Sequence, residues 1–525
     1  MKELQDLKLI VSKLTIDERK HELRNPVSDN GIKSQDRKLI AFLIMNPEAS
    51  SDEIQYYLYN KSKKIAFKQL VYRSKERLLD TLLSNNSIEG FDAFDQRARV
   101  LLGLRKKLIQ YDILNLRGLQ RVSAKILDSI ISKSKAYEYY DLLVFAMLKK
   151  MRMGVISMSM EDYTRLYKEL EHFEDCRAVH RKSEFYLKSL ISLISSKSRV
   201  HEHKNNLEYF IKDLEGDLFR VKSLTVLNNL LFLKKEFSDE NEQFSNSYKF
   251  SKKVIDLLTT NRFLYSHYNL GIAYLNLSIV EIRMFDFDNA QNSLKKSYNL
   301  LSVIDTNAFM VRQCQFLGYY FTDNRELIEK FLDIINSFFY SGIIPNFFAD
   351  KVRYYNACIK FIQEDYKSSY ILLNQVKVLE QEKESWNISI RILSVMNQIE
   401  LENYELADTL TENLRKHIER VKKTLPVGKR DEKIVQILTA LSRHSYHFRR
   451  TFRVKAEAFS LLESLEKEYR WKILSPEMII FHEWFKAKKE DARYDHFKLM
   501  PMINKKYATV HKAFVPLEQD VEILK

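Results

Sequence analysis

The sequence predicts an all-α protein: an α-solenoid of antiparallel helix pairs with a period of about 39 residues, preceded by an N-terminal helical cap module. Three observations carry this. Glycine and proline are scarce, 10 and 7 in 525 residues, so no proline lies between Glu48 and Ile344. That is about 3% of the chain against roughly 12% in an average protein. Apolar residues recur at i, i+3, i+4 and i+7 almost throughout, as in Leu224–Phe237 and Ile388–Ile399, the spacing of a helix with one buried stripe. A small residue also returns at a fixed interval. Turn-rich β folds need breakers every 8–12 residues or so and are excluded. Disorder is excluded by a composition 45% hydrophobic and 12% aromatic.

Residues 1–90 are predicted as a helical module. Three helices are expected at Gln35–Met45, Ser51–Tyr59 and Ser62–Leu83, the second opened by a capping box of Ser50 and Glu53. Short, short and long helices with a turn before the last match a helix-turn-helix, and a cap for the array explains the same pattern. The third helix and its approach carry Lys61, Lys63, Lys64, Lys68, Arg73, Lys75 and Arg77 against the single Glu76.

Residues 91–470 are predicted as the repeats. An aromatic is followed three residues later by a small residue and four further on usually by an apolar one: Tyr248, Ser251, Ile255; Phe287, Ala290, Leu294; Tyr366, Ser369, Leu373; Tyr404, Ala407, Thr411. The small residues stand 39, 79 and 38 apart, one period with a degenerate unit near 329. Paired helices that cross closely leave no room for a branched side chain there, and the aromatic plugs the gap to the next unit.

These motifs, above all FDFDNAQNSLKKSYNL and ENYELADTLTENL, resemble the second helix of the tetratricopeptide repeat in a lengthened form. The first-helix Leu-Gly pair is poorly kept, the closing proline is absent, and the period exceeds the usual 34. The stretch 98–150 also resembles the opening of a group of uncharacterised bacterial helical-repeat proteins, which implies a fold and no activity. The tetratricopeptide resemblance implies a peptide or partner protein on a concave face lined by first helices, at Arg283, Lys351, Tyr354, Phe361, Met396 and Glu400.

Residues 471–525 are predicted as a capping segment and tail. Two helices are expected within Leu461–Lys489, one started by Ser475-Pro476-Glu477, and Tyr494–Lys525 has only weak periodicity.

The net charge is +15, from 85 basic and 70 acidic residues. Residues 61–77 contribute +6 and residues 415–455 contribute +10, leaving −1 for the rest. The second segment includes Arg443, Arg449, Arg450 and Arg453 interleaved with Tyr446, Phe448 and Phe452, and the stretch 424–433 reads as an exposed connection. Arginine with aromatics suits phosphates and unstacked bases, and suits an acidic protein equally. A solvated helix face is the third reading.

No chemistry-bearing constellation emerges. His201 and His203 alternate, His444 and His447 sit among arginines, and His482-Glu483 lacks a second histidine at the zincin spacing. Arg262 to His267 has a form found in helical ribonucleases, at a frequency chance supplies. No Walker loop, nucleophile elbow or dinucleotide fingerprint is present. The expectation is a non-enzyme with no cofactor or metal. Cys176, Cys314 and Cys358 are three and far apart, which suits free thiols, and the charged N-terminus lacks a signal-peptide stretch. The chain is read as a cytoplasmic scaffold that takes a protein or peptide partner. The alternative is a nucleic-acid-binding regulator with a basic N-terminal helix and a repeat sensor domain.

Overall fold

The computed structural model describes residues 2–12, 14, 16–24, 35–60, 64–84, 96–154, 158–196, 200–301, 306–322, 324–340, 342, 344–377, 385–423 and 426–511. Among these residues the regular structure is helical, without a strand, in two compact units, residues 1–142 and 143–525. The division differs from the sequence boundary near residue 90.

In the first unit α1 (Lys2–Ser12), α2 (Ile16–Arg24), α3 (Gln35–Met45), α4 (Ser51–Tyr59) and α5 (Lys64–Ser84) are followed by the hairpin of α6 (Gln96–Leu116) and α7 (Gln120–Ala136). Leu7, Leu39, Ile40, Ile54, Leu70 and Val71 form the core of the first five helices. The capping box forms, with the Ser50 amide donating to Glu53 at 2.6 Å and the Glu53 amide to Ser50 Oγ at 3.2 Å.

Helix α8 (Tyr140–Gly154) carries the boundary between the units, and α9 (Met160–Ser196) and α10 (Val200–Val221) follow. Helix pairs then succeed one another: α11 (Leu224–Glu240) with α12 (Phe244–Thr260), α13 (His267–Arg283) with α14 (Phe287–Leu300), and α15 (Thr306–Tyr320) with α16 (Arg325–Tyr340). Next come α17 (Asn346–Ile362) with α18 (Tyr366–Leu373), α19 (Ser385–Glu400) with α20 (Tyr404–Val421), and α21 (Lys429–Arg443) with the short α22 (Phe448–Val454) and α23 (Ala456–Glu463). Helices α24 (Phe481–Lys489) and α25 (His496–His511) end the described chain. First helices begin at 224, 267, 306, 346, 385 and 429, steps of 39 to 44 residues. Ser251, Ala290, Ser369 and Ala407 are all buried in the crossings. The degenerate unit lacks that small residue, and α16 buries Ile328, Phe331, Leu332, Ile335 and Phe338 instead.

The turns explain how so few glycines suffice. Five non-glycine residues at the ends of first helices adopt left-handed backbone: Glu242, Phe285, Glu364, Glu402 and Ser445, with φ between 47° and 64°. The amide after each reaches back five residues, as from Asp286 to the Glu281 carbonyl at 2.9 Å and from Asn403 to that of Gln398 at 2.9 Å. This satisfies carbonyls a helix end would leave bare. The same residue then caps the second helix: Asp286 and Asp365 each accept from the amide three residues on. One residue closes a helix and opens the next.

Three sequence expectations change at the C-terminus. Ser475-Pro476-Glu477 starts no helix, because residues 464–480 run without regular structure until α24. Residues 496–511 form a helix whose Met500, Ile503 and Tyr507 are buried, so this part is integral, and 512–525 lie outside the described residues. Arg430, placed by sequence in an exposed connection, is buried. All three cysteines are buried. No helix among the described residues is long and apolar enough to cross a membrane.

Candidate functional site

The irregular stretch 464–480 and the two helices after it lie against the first helices of the array. Hydroxyls from successive first helices read its main chain: Tyr354 on α17 donates to the Pro476 carbonyl at 2.6 Å, and Tyr320 on α15 to that of Met478 at 3.2 Å. Asn504 donates to the Phe321 carbonyl at 2.6 Å, and His496 Nε2 lies 3.2 Å from that of Tyr320. Trp471, Met478, Ile480, Phe481, Trp484 and Tyr507 are each at most 1% exposed. At about 1.5–3 kcal/mol per large side chain, these six alone hold the segment by on the order of 10 kcal/mol. A binding partner rarely supplies that much merely to displace a segment. The segment is a permanent part of the face.

Arg430 at the start of α21 is the hub that fixes it. Its Nε and Nη2 meet the two oxygens of Glu477 at 2.6 and 2.7 Å. Its Nη1 donates to the carbonyls of Leu462 and Tyr469 at 3.1 and 2.6 Å, and Nη2 lies 2.8 Å from His482 Nδ1. Facing a cation, His482 must accept there as a neutral ring, and burial holds its pKa below the usual range. Burial, with Glu477 adding to it, pushes Asp431 up to about 7.

The six groove residues divide accordingly. Tyr354, Phe361 and Met396 are buried, Tyr354 beneath the chain's own C-terminal segment through its bond to Pro476, so none of them is open to a partner. Glu400 is engaged inside the chain, accepting from Trp484 Nε1 at 2.6 Å and Lys488 Nζ at 3.0 Å. Lys351 is half-buried, its ammonium 4.6 Å from the Phe347 ring centre and 4.9 Å from that of Trp386. Arg283 reaches a surface cleft.

That cleft, about 310 Å³, is walled by Glu236, Asp239, Glu240, Glu242, Phe244 and Arg283 on one side and by Arg470 to Ser475 of the C-terminal segment on the other. Arg283 Nη1 lies 2.8 Å from buried Asp239, which also meets Lys235 Nζ at 2.8 Å. Arg470 and Lys472 both pair with Glu242. Running back from Arg283 along α13, Ile279, Asn276 and Ile272 are half-buried on the same stripe, while the residues between them are mostly buried. Burial pushes the nearby Cys314 thiol up to about 12 against the pull of Lys351 and Arg283, so it stays protonated and unreactive.

The basic segments lose much of their charge to neighbours. In 415–455, Arg415 pairs with Glu412 at 2.8 Å and Lys422 with Glu432 at 2.9 Å, while Lys429 pairs with Glu468. The aromatics interleaved there serve packing: Tyr446 stacks on Tyr404 at 4.7 Å, Phe448 sets its edge to Trp484 at 5.8 Å, and Phe452 stacks on Phe459 at 3.4 Å. Arg443, Arg449, Arg450 and Arg453 are exposed, and Arg449 pairs with Asp491 at 2.6 Å. In the first unit Lys75 pairs with Glu3 at 2.7 Å and Arg77 with Glu22 at 2.7 Å, whereas Lys64, Lys68 and Arg73 are exposed. Lys61 and Lys63 lie outside the described residues.

No group of three histidine, cysteine or acidic side chains among the described residues is placed to hold a metal ion. No family model and no curated protein matches the sequence.

The sequence missed the C-terminal segment as the occupant of the first-helix face. A signal was there: Trp471, Ile473 and the run Met478–Phe481 are too apolar for a tail.

Proposed function

We propose that the chain is a non-enzymatic, cytoplasmic protein-interaction scaffold, a tetratricopeptide-like solenoid that takes an extended peptide of a partner protein. The observation that carries this reading is the pair of tyrosine hydroxyls, Tyr320 and Tyr354, bonded to main-chain carbonyls two residues apart in an irregular stretch, where the Met478 amide also turns back to the Pro476 carbonyl at 3.0 Å. That is how a surface reads polypeptide without regard to side chains. The chain's own segment fills this part of the face. The partner's place is the open stretch beside it, where the α13 stripe of Ile272, Asn276 and Ile279 leads to Arg283 and the cleft. Arg283, its Nη1 held by Asp239, offers its remaining donors to a polar group of the peptide, and the isoleucines offer apolar contact.

The test is selection of peptides from a displayed random library by the full chain, followed by affinity measurement with Ile279→Glu and Arg283→Glu. Selected peptides are expected to weaken at least tenfold with each variant, and those lost with Ile279→Glu to respond little to salt. Peptides that bind both variants unchanged, or no enrichment at all, would remove this surface from consideration.

A further inference from the structure

Helix α5 in the first unit presents two different faces, and the boundary between them is sharp. Phe67, Leu70, Val71, Ser74 and Leu78 are buried against the module's core. The opposite face exposes Lys64, Lys68 and Tyr72 in one row and Ile65, Gln69 and Arg73 in the next. Beyond Arg73 the cations turn inward, Lys75 to Glu3 and Asp6 and Arg77 to Glu22. Lys64, Lys68 and Arg73 form no ion pair with a described residue. Along α5, unneutralised positive charge is thus confined to the N-terminal half.

The helix before it supplies the rest of a known geometry. Helix α4 is only nine residues long and ends at Asn60, whose left-handed backbone (φ 54°) turns the chain, leaving three residues before α5. A short helix ended by a left-handed residue and then a longer helix, both packed on α3, follow the element order of a helix-turn-helix. The acid nearest the turn's entrance, Glu53, is folded back onto the Ser50 amide. An open cavity of about 940 Å³ lies before the free face, bounded by Ser51, Asp52 and Gln55 of α4 and by Glu3 of α1, which Lys75 holds at 2.7 Å.

We propose that the first unit binds duplex DNA, with the N-terminal half of α5 in the major groove. The groove, about 12 Å wide, admits a helix, and Lys64 to Arg73 spans about 14 Å of axis, four base pairs' worth. Lys64 and Lys68 contact phosphates, while Gln69 and Arg73 carry the fork-like donors and acceptors that read base edges. This function is separate from peptide capture in the second unit and stands or falls independently.

The experiment is fluorescence anisotropy of a labelled mixed-sequence duplex of about 20 base pairs with the full chain at 50 and 200 mM salt. The two phosphate contacts give a loss of about 12-fold across that range. The double variant Lys64→Gln/Lys68→Gln, at exposed positions that leave the fold intact by circular dichroism, is expected to lower affinity at least tenfold at 50 mM salt. It should also flatten the logarithmic salt slope by about 1.8. The charge-matched control in the second unit, Arg450→Gln/Arg453→Gln, should change binding less than twofold. Absence of duplex binding at 50 mM salt, equal losses in both double variants, or an acidic peptide held by these lysines as tightly as the duplex would each overturn the proposal.

Discussion

The guanidinium of Arg430 and the carboxylate of Glu477 meet inside the protein at two points, 2.6 and 2.7 Å, 47 residues apart in sequence. Each is at most 10% exposed at its side chain. Removing one partner leaves the other charged and dry, which costs about 3–5 kcal/mol. Arg430→Met or Glu477→Leu alone should lower the urea midpoint strongly, and the double variant should lose less than either. A double-mutant cycle measures this, and single losses below about 1 kcal/mol would contradict a buried pair.

Acid should loosen the same region. Burial pushes His496 down to about 4, and its ring lies 3.1 Å from the Tyr494 hydroxyl and 3.2 Å from the Tyr320 carbonyl. The unfolded chain takes up that proton near 6.5 and the folded chain only near 4. The stabilisation is therefore complete above 6.5 and is lost as pH falls toward 4. Burial also holds half-buried His417 near 4, adding in the same sense. Asp431, raised to about 7, works oppositely: its contribution is full at low pH and lost as pH rises through 7. Urea unfolding at pH 5, 6, 7 and 8 separates them. His496→Gln should shrink the loss between pH 7 and 5, and Asp431→Asn should gain an advantage that grows from pH 5 to 7 and is flat above.

Backbone substitutions should split by position. Glu402 is exposed with φ 56°, so Glu402→Gly relieves left-handed strain and raises stability by roughly 1 kcal/mol. Gly103 and Gly216 lie inside helices with nothing within 4 Å of an added methyl, and changing either to Ala should add about 0.5–1 kcal/mol. At Gly271 the same methyl would stand 2.7 Å from Leu301 Cγ, a buried side chain, and should destabilise. Thermal midpoints of the four variants give the order, and equal midpoints for Gly216→Ala and Gly271→Ala would refute the close crossing of α13 with the end of α14.

The C-terminal segment should be indispensable. Tyr354→Phe and Tyr320→Phe should each cost about 1 kcal/mol. Truncation after Ser464 should yield a chain that binds a hydrophobic dye and loses cooperative unfolding. A truncated protein that melts as sharply and as late as the full chain would show the segment to be an ornament.

Much of the local structure was legible. Bounds of α3 and α4 follow from apolar spacing and a capping box whose two hydrogen bonds form. The small-residue rule located the crossings at Ala290 and Ala407, because backbone approach excludes larger groups there. The turns were hidden, since left-handed Glu364 and Glu402 carry no glycine signal and are held by five-residue-back hydrogen bonds. Ser475-Pro476-Glu477 has the local chemistry of a helix start, yet tertiary partners override it. Arg430 takes the Glu477 carboxylate and Tyr354 the Pro476 carbonyl. The candidate surface was the least legible. Sequence periodicity could not tell that Tyr354, on the expected face, is covered by a segment more than a hundred residues away, or that Phe361 and Met396 are buried.

Tyr320 and Tyr354 stand one unit apart on the array, and the carbonyls they hold are two residues apart on a single strand of chain. Ordinary tandem arrays lengthen or shorten by whole modules because each module knows only its neighbours. Here a strap anchored on two modules at once fixes their number. Inserting a helix pair between those adjacent anchors, or deleting either of them, would leave the strap out of step, so this stretch should tolerate change in its loops while its module count stays constant.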